Sequence, residues 1–164
     1  MFKKITLFAS LMVFGFGFLA CNESDDNLDE KKEVAVASFS GTLSVDQLDS
    51  TFYTTENVVV SIEPLVDSTK TGAYTRLRMV MHQVRFSPKM PLSLDMTVNN
   101  VSYVANSDGF ALSGDSLMPY AMGGPFPSFI ITNLQGVMTD GELTMSMKCG
   151  MYPLTYTGSL VAEP

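Results

Sequence analysis

Few side chains in this sequence can do chemistry. His82 is the only histidine, Cys21 and Cys149 are the only cysteines, and tryptophan is absent. Nucleophilic catalysis needs a nucleophile, a base and a group that orients the base. Serines are plentiful, but one imidazole serves them all and no G-x-S-x-G segment occurs. A metal centre needs several His, Cys or carboxylate ligands at close spacing, and no C-x-x-C, H-x-H or carboxylate-rich run is present. Met79 and Met81 beside His82 raise the question of haem or copper. A single histidine in an alternating apolar segment reads instead as a surface or hydrogen-bonded residue. Cys149 follows Met145 and Met147 at alternate positions, which predicts a core thiol behaving as a small hydrophobe. The expectation is a non-enzymatic protein with no metal and no cofactor.

Binding is the remaining chemistry. Ten methionines lie beyond residue 33, and methionine adapts to irregular cavities and promiscuous surfaces. Met79, Met81, Met145 and Met147 either line a ligand cavity or fill a solid core. Residues 118–127, MPYAMGGPFP, are apolar, uncharged and rich in turn formers. Met118, Tyr120 and Phe126 in this segment either meet a ligand or partner, or fold back to plug an end of the domain. Arg76 and Arg78 share one strand face with Arg85 nearby. They are expected to pair with acids on a neighbouring strand, with binding of an acidic glycan as the alternative.

The elements that position these residues show a period of two. Phe39, Gly41, Leu43 and Val45 alternate with small polar residues, as do Val58, Val60 and Ile62, and then Leu77, Met79 and Met81. The pattern returns at Leu92–Val98, at Leu143–Cys149 and at Tyr152–Leu160. Such alternation marks half-buried strands. Asn99-Asn100, Ser107-Asp108-Gly109 and Asp140-Gly141 read as turns, the last joining 128–139 and 142–149 as a hairpin. Within 75–86 the apolar parity changes from odd (Leu77, Met79, Met81) to even (Val84, Phe86), which predicts a bulge near His82-Gln83. No long stretch carries a helical stripe. Eight to ten short strands imply an all-β barrel or sandwich.

Composition divides along the chain. It has 164 residues, a formal charge of −7 and a mean hydropathy of +0.18, high for so acidic a sequence. The first twenty residues hold the excess, and outside them the hydrophobic fraction falls to about 42%, an ordinary globular value. That remainder has 8 basic and 17 acidic residues, net −9, which argues against nucleic-acid binding. Lys3, Lys4 and the apolar run Ile5–Leu19 read as a signal peptide over 1–20, too short for a spanning helix. Its end, Phe18-Leu19-Ala20-Cys21, resembles the lipobox of bacterial lipoproteins, with Phe18 where leucine is usual. The resemblance implies lipidation of Cys21 and attachment to the membrane through an N-terminal lipid. Residues 22–33, NESDDNLDEKKE, have one apolar residue, Leu28, and are expected to form a flexible acidic tether. Ser24-Asp25-Asp26 loosely resembles the surface-export signal of Bacteroidota lipoproteins. That implies an outer-membrane location, facing the cell surface rather than the periplasm.

Residues 34–164 form one domain. Its opening Phe39-Ser40-Gly41-Thr42-Leu43-Ser44-Val45, the strand ending Gln83-Val84-Arg85-Phe86 with Pro88 after it, the hairpin at Asp140-Gly141-Glu142-Leu143 and the closing Tyr156-Thr157-Gly158-Ser159-Leu160 resemble the calycin-like lipoproteins of Bacteroidota. The resemblance implies a single antiparallel lipocalin-like barrel of about eight strands and carries no established activity. The expected function is binding of a small apolar ligand or an envelope partner. The alternative is a protein- or glycan-interaction module that uses the barrel exterior and the 118–127 loop over a solid core.

Overall fold

The alternating segments close on themselves. In the computed structural model, residues 34–66 and 74–161 are described; the signal segment 1–20, Cys21 and the tether 22–33 lie outside them. Ten strands follow one another: β1 (Ala37–Asp46), β2 (Phe52–Val66), β3 (Tyr74–Val84), β4 (Leu94–Asn106), β5 (Gly109–Gly114), β6 (Pro119–Ala121), β7 (Gly124–Pro125), β8 (Ile131–Met138), β9 (Glu142–Cys149) and β10 (Tyr152–Leu160). Eight of them pair antiparallel in the order β1-β2-β3-β4-β5-β8-β9-β10, and β10 returns to β1 through Phe39↔Leu160 to Val45↔Leu154. This is a closed up-and-down barrel, the fold class that the alternation predicts. The short strands β6 and β7 are an insertion between β5 and β8. They form a hairpin hung on β4 through Thr97↔Tyr120 and Val98↔Pro119.

Closure removes exposed strand edges and sends every second side chain inward. On β9 the burial alternates residue by residue, with Leu143, Met145, Met147 and Cys149 inside. Tyr156 on β10 is the largest interior side chain, and its hydroxyl donates to the carbonyls of Phe39 (2.8 Å) and Val58 (3.0 Å). The ring reaches them across the Cα of Gly158, where an added Cβ would lie 2.3 Å from the phenol oxygen. Burial pushes the Tyr156 hydroxyl up to about 12.

Bulges bend the long strands around the barrel. The β3–β4 register shifts between Met81 and Val84, where Gln83 adopts a left-handed φ of +51°; this is the bulge that the parity change predicts. The expected turn at Asn99-Asn100 is a second bulge. β4 runs unbroken through it, with Asn100 at φ +64° taking up one extra residue opposite Leu77–Met79. Asparagine tolerates the left-handed region, so it suits a bulge as well as a turn. Leu92, read as the start of a strand, precedes β4 and is exposed.

Candidate functional site

The interior methionines face a lumen filled by side chains. Met79 and Met81 on β3 have 0% of their surface accessible, and Met145 and Met147 on β9 have 2% and 4%. Leu43, Val60, Ile62, Leu77, Met96 and Tyr156 are closed off at 0%, like Met79 and Met81. A void large enough for one water would give its lining residues accessible surface, so the space among these side chains is filled. An eight-stranded barrel is at the size where side chains alone can fill the lumen.

The other three sequence candidates sit together on the inserted hairpin. Met118 and Tyr120 are 37% and 45% exposed, and Met122 at the tip is 85% exposed, the highest value among the large hydrophobic residues described. Met122 and Gly123 form the two-residue turn, with φ of +53° and +83°. Positive φ at both central positions is what a type I′ hairpin turn needs, and asparagine or glycine normally occupies the first of them. Methionine there is held against its own preference, and such strain concentrates at functional sites.

The segment following the hairpin anchors it. Phe126 stacks on Phe129 at 4.8 Å between ring centroids, and Phe129 stacks on the buried Phe86 at 5.1 Å. The Phe126 N–H donates to the Pro119 carbonyl (2.8 Å), closing the hairpin. Leu117 and Ile131 exchange two backbone hydrogen bonds of 2.9 Å, and the Gly150 N–H donates to the Ile130 carbonyl (2.9 Å). Gly150, at φ +59°, is fixed as glycine twice over, because a Cβ there would lie 2.4 Å from the Ser128 carbonyl oxygen. Asp115 holds the near end, accepting the Asn133 N–H (3.0 Å) and the Ser116 hydroxyl (3.1 Å); both bonds hold its carboxyl below the usual value. The two readings of 118–127 therefore divide residue by residue: Phe126 is packed against the barrel end through Phe129, Pro119 and Ala121 are buried along β4, and Met118, Tyr120 and Met122 face outward.

The outer wall of β2, β3 and β4 has a different character. Arg78 pairs with Glu63 on the neighbouring strand at 3.3 Å and donates through Nε to Asn99 (3.2 Å), while Arg76 bonds Ser102. Pairing with an acid thus holds for Arg78, and Arg76 finds a serine. Beside them runs a row that sequence reading missed. Ser38 and Ser61 share a hydroxyl–hydroxyl bond of 3.0 Å, Ser61 Oγ lies 3.1 Å from His82 Nε2, and His82 Nδ1 lies 3.6 Å from Asp95 Oδ2. No group of three or more His, Cys, Asp or Glu suited to a metal ion occurs among the described residues. Cys149 is buried, with its thiol pointed at the Phe129 carbonyl (3.5 Å), and burial pushes it up to about 12, far from thiolate chemistry at neutral pH.

Comparison with known proteins finds no match for this chain among protein-family models, curated proteins or solved structures.

Proposed function

We propose that this protein is a lipid-anchored envelope protein whose barrel is a rigid scaffold presenting the Met118–Gly123 hairpin to a partner protein. The observation that carries the reading is Met122: an exposed apolar side chain in a strained backbone conformation, on a hairpin clamped to the barrel by stacked phenylalanines. A rigid mount spares the backbone-ordering cost of binding, which is the advantage of preorganisation, and the adaptable thioether fits itself to the partner surface. The packed interior favours this reading over a small apolar ligand held inside the barrel. In the same reading Cys21 carries the lipid, residues 22–33 are the spacer, and the protein sits on the outer membrane facing the cell surface.

Two experiments test it. A photo-crosslinking amino acid placed at 122 in the native host should give one discrete protein adduct, and the same probe at the outward-facing Val137 should not. A discrete adduct from 137 with none from 122 would put the contact on the barrel wall. For the anchor, Cys21→Ala should abolish incorporation of a labelled fatty acid and release the protein from membranes. Retained labelling would move the lipid elsewhere.

A further inference from the structure

We infer that Ser61, His82 and Asp95 form a serine-nucleophile site for small carboxylic esters on the outer wall of β2–β4. This goes beyond the partner-binding reading and departs from the non-enzymatic expectation. The three residues come from three successive strands and face the same way. Ser61 Oγ is 3.1 Å from His82 Nε2, within reach for the imidazole to take its proton. With Nε2 as acceptor, Nδ1 carries the other proton and faces Asp95 Oδ2 at 3.6 Å. The nucleophile, base and orienting carboxylate are recognised by these roles, and the arrangement recurs on unrelated folds.

The backbone builds the arrangement. Asp95 Oδ1 accepts the N–H of Gln83 at 2.8 Å, which fixes the carboxylate with its other oxygen toward the histidine. Gln83 can make that bond because it is the left-handed bulge residue of β3. Bulges next to active sites re-aim the side chains beside them, here that of His82. Ser38, 3.0 Å from Ser61 Oγ, holds that hydroxyl in the row. Val59 lies opposite His82 and Val80 opposite Ser61, both half-buried, and they offer apolar footing for a short acyl chain.

The chemistry balances without a cofactor. Ser61 Oγ attacks the ester carbonyl carbon and its proton passes to His82 Nε2. The tetrahedral intermediate collapses, the C–O bond to the alcohol breaks, and the alcohol leaves with that proton. Water then attacks the Ser61 acyl ester, gives a proton to His82, and releases the carboxylic acid as the proton returns to Ser61 Oγ.

The test uses the full-length chain in detergent, a fluorophosphonate probe and peptide mass spectrometry. The expected result is a phosphonyl adduct on Ser61 that is absent in Ser61→Ala, slowed by about 100-fold or more in His82→Ala, and slowed less in Asp95→Asn. All three positions are on the outer wall, and matched circular dichroism spectra exclude loss of fold. No adduct on Ser61, or an unchanged rate in His82→Ala, would overturn the assignment. Hydrolysis of 4-nitrophenyl acetate should follow the same order of variants.

Discussion

Methionine appears in two settings in this molecule, and the contrast separates scaffold from function. Met79, Met81, Met145 and Met147 are sealed inside the barrel, where a flexible thioether fills the gaps between branched and aromatic neighbours. Met118 and Met122 carry the same side chain into solvent on a hairpin with no charged residue between 116 and 126. In the interior, adaptability serves packing density. On the hairpin it is displayed. Residue type alone does not distinguish the two groups; the inward alternation of β3 and β9 and the type I′ turn do.

Substitutions should break the contrast in order of cost. The largest effect is expected at the seam that closes the barrel. A Cβ at Gly41 would lie 2.0 Å from the Thr157 carbonyl oxygen, so Gly41→Ala should cost about 4 kcal/mol or more, read from the denaturant midpoint or as failure to fold. Met79→Ala should cost about 2–5 kcal/mol by loss of buried area and creation of a cavity. Tyr156→Phe leaves the Phe39 and Val58 carbonyls without their shared donor and should cost about 1–3 kcal/mol.

The same tyrosine gives a pH prediction. Its pKa in the fold is raised, to about 12, so its stabilising contribution is complete below the unfolded value of about 10 and is lost as pH rises through the folded value. Stability should therefore fall between pH 10 and 12, and Tyr156→Phe should flatten part of that decline. Cys149, also raised to about 12, accounts for a share that Cys149→Ala removes.

At the hairpin the sign reverses. Met122→Asn places the preferred Asn-Gly pair in the turn and should stabilise the fold by up to about 1 kcal/mol while weakening the partner contact. A variant that is both less stable and still cross-linked through the hairpin would contradict the assignment of strain to function.

Much of this was legible in the chain because strand alternation is local. Leu143 to Cys149 announced a strand and its inward face, and the parity change between Met81 and Val84 announced the bulge at Gln83. The reading of Asn99-Asn100 failed because a left-handed asparagine serves a turn and a bulge alike, and only the pairing of β4 with β3 distinguishes them. The 118–127 segment stood out by composition, but its division into a packed Phe126 and a projecting Met122 depends on Phe86, some forty residues away in sequence. The Ser61–His82–Asp95 row was illegible for a related reason. Its members are 21 and 13 residues apart, and a shift of one residue in either strand pairing would turn one of them inward.

The claim that the barrel is solid and the hairpin is the presented surface can be tested on one molecule by timed hydrogen peroxide oxidation, with each methionine followed by mass spectrometry. Met122 should convert to the sulfoxide first, with Met151 and Met118 next, while Met79, Met81, Met145 and Met147 react only at the rate of global unfolding. Rapid oxidation of the four interior methionines under native conditions would show an open lumen and contradict the account.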